Sequence, residues 1–403
     1  MDFSRLQKIR HDRSLTTMII LLIMAGCGGS KQSTDDFITV DVTKSYPQKE
    51  LILQDFMDVE YFPLETTDNF VCQGVVRAIN KDFLIITNSN QINDGDIFVF
   101  DRNGKGLTKI NRKGQGNEEY TSAVHVTLLD EENNEIFINE PNRIMVYDLT
   151  GKFLRSFPKN EGTDFSFLHN YDQEHLICRE ITNVTDEKST ESQPFAIISK
   201  KDGSIVNGVR IQFKKGINAL FTINFFGASA SIFLSSQFNS IIPFHDSWIL
   251  TELSSDTIFR LLPDLGMIPF ITRTPSVHSM TQEIFLFPIL ITDRFYFMET
   301  FKKEVDMESI PIIESFPRQK IVFDRQTNTI FECAVYNNDY ATEKIVNLSN
   351  ANINNEIAFC QKIESFELVE AYKKGELKGR LKEIASGLDA EDNPVIMLVK
   401  HKK

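Results

Sequence analysis

Histidines are the natural place to look for chemistry, and this chain has seven: His11, His125, His169, His175, His245, His278 and His401. They are scattered. No H-E-x-x-H run occurs, and no cysteine–histidine group has the spacing of a zinc site, so no metal ligand is nominated. His169 and His175 could approach each other across a hairpin, with surface histidines the plainer reading. Gly114-x-Gly116 has the outline of a phosphate loop, but strands flank it and no helix follows, so it reads as a turn. Gly227-Ala-Ser229-Ala-Ser231 lacks the last glycine of a nucleophile elbow. Asn93-Asp94-Gly95-Asp96 offers oxygens suited to Ca²⁺ without a twelve-residue loop or its closing glutamate. A short set of binding candidates remains: Glu119, Tyr120, His125, and His245-Asp246 just ahead of Trp248. None is nominated as catalytic. For Tyr120 the competing reading is an anchor with a buried ring and a hydrogen-bonded tip, and for His245-Asp246 it is a satisfied turn.

The elements that must position these residues read as strands. Phenylalanine is heavily used (33) and tryptophan almost absent (1), and β-branched runs are punctuated by Gly and Asn turns. A chain of 403 residues with 41% hydrophobic content fits one large all-β domain better than one ordinary mixed domain. The net charge is −13, and the first 26 residues hold four of the cations (Arg5, Lys8, Arg10, Arg13), so the remainder is more acidic still. An acidic body repels phosphate backbones, which argues against a nucleic-acid partner.

Residues 1–26 read as an export signal. A basic, polar stretch is followed by an apolar run from Met18 to Ala25, too short for a spanning helix, and by small residues before Cys27. Ala25-Gly26-Cys27 resembles a bacterial lipobox, which implies diacylglycerol and acyl chains on Cys27 and an anchor in the membrane. Residues 27–36 are then a lipidated cysteine and a polar tether. The other cysteines, Cys72, Cys178, Cys333 and Cys360, lie far apart in apolar runs and are expected as buried thiols.

Internal repetition is the strongest signal in residues 37–403. Ile97-Phe98-Val99-Phe100-Asp101-Arg102-Asn103-Gly104-Lys105 is matched, 47 residues on, by Ile144-Met145-Val146-Tyr147-Asp148-Leu149-Thr150-Gly151-Lys152. Each is a strand ending in Asp, then a turn whose Gly supplies a positive φ, then a second strand. Weaker copies begin at Phe195, Thr257 and Ile321, each with a short strand upstream. Repeats of about fifty residues with this grammar predict four-stranded propeller blades. Five copies leave a sixth blade to the chain ends, with strands expected at 38–42, 58–64 and 394–400. A helical stripe through Leu368, Val369, Tyr372, Leu377, Leu381, Ile384 and Leu388 predicts a helical insertion near closure. The apolar run 216–245 is assigned to core strands of the third and fourth blades. The expected fold is therefore a six-bladed β-propeller of antiparallel blades closed by N- and C-terminal strands. The nominated residues would sit at the mouth of its central channel.

Three segments carry a family resemblance. Val59-Glu60-Tyr61-Phe62-Pro63-Leu64-Glu65-Thr66-Thr67, Gly114-Gln115-Gly116-Asn117-Glu118-Glu119-Tyr120 and Asp392-Asn393-Pro394-Val395 resemble the opening, first-seam and closing motifs of six-bladed propeller lipoproteins of bacterial envelopes, with NHL- and TolB-like propellers. The second motif has Asn117 where that family has Pro. The resemblance implies a lipid-anchored propeller of the bacterial envelope and little about its ligand. The channel mouth of a propeller is a natural concave site, so the expected role, at the outer membrane, is binding a carbohydrate, a peptide or a partner protein. The alternative is a propeller metalloenzyme of the lactonase or lyase type, with a divalent metal at the channel. No other cofactor is expected.

Overall fold

The computed structural model describes residues 37–89, 91–123, 126–159, 163–182, 191–217, 220–225, 228–233, 239–304, 317–348 and 353–402. Nearly all of them fall in one compact unit, Thr39–Lys403. In chain order they begin with β1 (Ile38–Asp41), β2 (Gln48–Ile52), the single turn α1 (Leu53–Phe56) and β3 (Met57–Pro63). Two four-stranded antiparallel blades follow, β4–β7 (Val75–Ile79, Phe83–Thr87, Asp96–Asp101, Gly106–Asn111) and β8–β11 (Val126–Asp130, Glu135–Asn139, Arg143–Asp148, Phe153–Pro158). The third is β12–β15 (Thr163–Asn170, His175–Thr182, Glu191–Ser199, Ile205–Gln212). After a hairpin, β16 (Leu220–Phe225) and β17 (Ala228–Phe233), the fourth is β18–β21 (Ile241–Phe244, Ser247–Leu250, Thr257–Leu261, Met267–Thr274). The fifth is β22–β25 (Ile284–Ile291, Phe295–Lys302, Arg318–Asp324, Thr329–Tyr336). Last come β26 (Ile357–Ile363), helices α2 (Ser365–Lys373) and α3 (Gly379–Ala385), and β27 (Val395–His401).

This is the six-bladed propeller that the repeats predict. The repeated Asp-terminated segments are the third strands, and the short strands upstream are the second strands. Their near-continuous apolar character has a physical cause: a blade is covered on both faces by its neighbours. In β6 and β10 the four central residues are all buried, whereas in the outer strands β7 and β11 exposed residues alternate with covered ones, of which Ile110 and Phe157 are fully buried. The apolar clusters accordingly sit at the seams, as where Ile85 and Val99 of the first blade meet Ile136 and Met145 of the second.

The repeat's turn chemistry is also explained. The Asp101 carboxylate accepts the amides of Asn103 (2.8 Å) and Lys105 (3.0 Å), and Asp148 accepts those of Thr150 (2.8 Å) and Lys152 (3.0 Å). Gly104 and Gly151 stand at φ +82° and +83°, and each presses on the outer strand of the preceding sheet. A side chain at Gly104 would collide with the Pro63 carbonyl oxygen, and one at Gly151 would lie 2.7 Å from an Ile110 methyl.

The ring closes where N- and C-terminal strands share a sheet. β27 pairs antiparallel with β3, from Val395 opposite Pro63 to His401 opposite Met57, and β26 lies on its other side. Among the described residues this sheet has three strands. Asn393 fastens the closure. Its Oδ1 accepts the Cys72 amide (2.8 Å), its Nδ2 donates to the carbonyls of Glu65 and Phe70, and its amide donates to Thr66 Oγ1.

Two expectations need correction. The 38–42 strand does not join the closing sheet: β1 runs along β21 as a fifth strand, with Thr39 Oγ1 2.9 Å from Thr272 Oγ1 and the Val42 amide on the Thr274 carbonyl. β2 pairs in parallel with β25, from Gln48 opposite Glu332 to Ile52 opposite Tyr336. The N-terminal segment thus covers the edges of two blades, which would otherwise present unpaired backbone groups. The 216–245 run also differs, because β16 and β17 form a separate two-stranded sheet and only β18 belongs to a blade. The helical insertion is present as two helices. Leu368, Leu377, Leu381 and Ile384 are buried, while Gly375 at φ +73° separates α2 from α3 and Tyr372 is exposed. The four described cysteines are free thiols. Burial raises Cys72 to about 11 and Cys333 and Cys360 to about 12.

Candidate site at the turn end of the ring

One kind of turn recurs around the ring, just before four of the six second strands. The Asn80, Asp172, Thr292 and Asn354 amides donate to the carbonyls of Phe83, His175, Phe295 and Ile357. In each, the same residue's side-chain oxygen also caps the turn: Asn80 Oδ1 accepts the Phe83 amide (2.7 Å), Asp172 that of His175 (2.8 Å), Thr292 that of Phe295 (2.8 Å), and Asn354 that of Ile357 (2.7 Å). The match assigns β26 as the second strand of the closing sheet. It also places Asn354–Glu356 among the turns of one end of the ring. There Asn355 Nδ2 donates to the His245 carbonyl (2.6 Å) and Asn354 Nδ2 to Glu131 Oε1 (3.2 Å).

Two adjoining cavities open between these turns. One of about 520 Å³ is bordered by Phe56, Asp293, Arg294 and His401. The other, of about 560 Å³, is bordered by Glu131, His169, Tyr171 and Trp248. Pro243, His245, Asn355 and Glu356 border both. Both volumes suit a small ligand or a few side chains of a partner.

In the first cavity His245 Nε2 lies 2.9 Å from Asp293 Oδ1, with both side chains largely exposed. Burial lowers the His401 imidazole, Asp293 acts against that shift, and His245 adds to it. Arg294 grips Asp324 through two hydrogen bonds (3.2 and 3.0 Å), so its charge is committed to the scaffold.

Aromatic side chains form one wall of the second cavity. The Trp248 ring stacks on Tyr171 (centroids 6.3 Å apart, planes at 23°) and lies 5.6 Å from the His169 ring. Burial pushes the His169 imidazole down to about 4, against its hydrogen bonds with Asn239 and the Ile353 backbone, so it is neutral at pH 7. The Lys200 ammonium is 2.8 Å from Asp130 Oδ2, both side chains almost wholly buried. Burial works to raise the Asp130 carboxyl, but the Lys200 contact together with hydrogen bonds from Asn133 and the Glu132 amide outweighs it and holds the group low. Glu131 is the opposite case: burial and then the Glu356 charge raise it.

Of the nominated residues, His245, Asp246 and Trp248 border the second cavity. His245 takes φ +53° in the two-residue turn between β18 and β19. Tyr120, a channel-mouth candidate whose competing reading is a buried anchor, takes the anchor's place: it is wholly buried, and its hydroxyl donates to the Gly95 carbonyl (2.7 Å) and accepts the Arg112 amide (2.9 Å). Its ring meets Tyr147 edge-on at 5.7 Å, so it is a seam anchor between the first two blades. Glu119 caps the Gly116 amide (2.9 Å) in the same seam, and neither residue borders the two cavities. His125 lies outside the described residues. His169 and His175 part ways: His175 Nδ1 sits 2.9 Å from the Asp172 carboxylate, while His169 faces the Trp248 wall. Glu131, Tyr171, Glu356 and His401 were not nominated. The available signal was positional, because each lies within a few residues of a blade's second or third strand end.

Among the described residues no three His, Cys, Asp or Glu side chains converge as a metal-ligand set. No described helix is long and apolar enough to cross a membrane.

A family model described as a domain of unknown function, DUF4934, matches residues 37–400. The chain belongs to that family. The family model thus spans the propeller from β1 to β27. No curated protein matches the chain. Among solved structures, a Bacteroides fragilis protein described as exported is similar at 14% identity and a TM-score of 0.54, covering 91% of this chain and 100% of that one. That likeness shows the fold alone. A Staphylococcus aureus virginiamycin B lyase is similar at 11% identity and a TM-score of 0.34, over 86% of this chain and 100% of the other.

Proposed function

We propose that this DUF4934 protein is a lipid-anchored envelope propeller that binds a ligand or partner at the turn end of its ring. The single observation carrying the reading is the pair of adjoining cavities that share His245 and Asn355, one of them walled by Trp248 stacked on Tyr171. Stacked aromatic rings beside amides and carboxylates suit a carbohydrate, a peptide or the side chains of a partner protein. The lipobox-like Ala25-Gly26-Cys27 and the exported character ascribed to the Bacteroides fragilis relative support an envelope location. The outer membrane is the proposed site, with diacylglycerol and acyl chains on Cys27 holding the chain there. A metalloenzyme needs ligands converging from several strands. Among the described residues no such set is found.

A thermal-shift screen with glycans and peptides tests the cavity, since a ligand at 100 times its Kd adds about 2.7 kcal/mol of stability. A shift that disappears in Trp248→Leu supports the reading, and a shift unchanged in Trp248→Leu places binding elsewhere. For the anchor, radiolabelled palmitate should enter the wild-type chain and not Cys27→Ser. Equal labelling of both would remove the lipoprotein assignment.

A further inference from the structure

The second cavity has a definite chemical character. Its bordering carboxylates include Glu131, Asp246 and Glu356, whereas the bordering ammonium of Lys200 is already matched by Asp130 at 2.8 Å. His169 carries no charge at pH 7. Burial and the Glu356 charge disfavour ionised Glu131, a cost that a cation placed between the two carboxylates would relieve. A separate feature points the same way: the Trp248–Tyr171 wall, whose π faces attract cations. Carboxylates and aromatic faces together describe a complement for a group that only donates. Alkylammonium and guanidinium are such groups.

Resting on the ligand-site reading above, we infer that the cavity bounded by Trp248, Tyr171, Asn170, Glu131 and Glu356 takes an organic cation, the ammonium or guanidinium of a free amine or of a basic peptide side chain. Trp248 and Tyr171 flank the alkyl stem and the charge. Glu131 and Glu356 supply the counter-charge.

Trp248 is the only tryptophan in the chain, so its fluorescence reports this cavity directly. The lipidated full chain in a neutral detergent is titrated with cadaverine, methylguanidine and a Gly-Lys-Gly peptide, and with 1,5-pentanediol, glutarate and maltose. Saturable changes are expected with the three cations and not with the diol or glutarate. Glu131→Gln, which keeps side-chain shape, should weaken cadaverine by about tenfold or more, the scale for losing a partly buried counter-charge, and Glu356→Gln, at an exposed position, should weaken it by less. Tyr171→Leu should weaken it without removing a charge. A tighter response to the peptide assigns the cation to a protein partner, and a tighter response to cadaverine assigns it to a free amine. Equal responses to pentanediol and cadaverine, or wild-type affinity in both Gln variants, overturn the inference. If maltose moves the emission and no cation does, the cation assignment fails while the ligand cavity stands. If no compound does, both fall.

Discussion

Asn393 shows how much one side chain can carry in a closed ring. It is 3% exposed and bonds to four backbone or side-chain groups in the segment from Glu65 to Cys72. Each buried group left unpaired costs about 1–3 kcal/mol. Asn393→Ala should therefore lower stability by about 3 kcal/mol or more in denaturant titrations, and a loss under about 1 kcal/mol would show that the clasp is dispensable. Gly104 and Gly151 share a left-handed φ but differ in what they press on. Alanine in that conformation costs roughly 1–2 kcal/mol at either place. Gly104→Ala should cost distinctly more than Gly151→Ala, because a carbonyl of the closing sheet yields less than an isoleucine methyl. His169 gives a pH signature. Its imidazole ionises near 4 in the folded chain and near 6.5 when exposed, so the unfolded chain binds the extra proton between those values. Stability from this group is complete above about pH 6.5 and falls toward pH 4, by about 2–3 kcal/mol. His169→Gln should flatten the wild-type slope in that window, and an unchanged slope would mean the histidine is not shielded as described.

At the scale of elements, what could be read from the chain depended on burial. Third strands announced themselves because both faces are covered, giving runs such as Ile97–Phe100 closed by an Asp and a Gly turn. The closing strand at Val395 was legible for the same reason. β1 and β2 were recognisable only as strands. Their partners lie some 230 to 280 residues away on blade edges, as Thr39 with Thr272 and Gln48 with Glu332, and nothing local encodes that. Covering an edge is the role inferred for β1. Deleting residues 39–42 should leave the ring folded but expose β21, read as faster amide exchange along Met267–Thr274. Unchanged exchange there would deny the covering role. The candidate site was half legible. His245, Asp246 and Trp248 follow a visible turn, but Glu131, Tyr171 and Glu356 are single polar or aromatic residues in turns, where no periodicity marks function. The family-like motifs misled in one respect. Glu119 and Tyr120 belong to a seam, and so do Glu65 and Asn393, so those motifs specify closure and blade registry rather than ligand chemistry.

For the whole molecule, the seams divide the labour. One set of residues locks sheet to sheet around the ring, and the turns preceding the second strands are left to shape a concave end. That division is why the turn end is the proposed working surface. Hydrogen exchange with and without the ligand that gives the largest thermal shift tests this most directly. Protection should concentrate in the turns at Glu131–Asn134, Asp172–Glu174, His245–Asp246 and Asn354–Glu356. Protection confined to the outer strands or to α2 and α3, with those turns unchanged, would contradict the account.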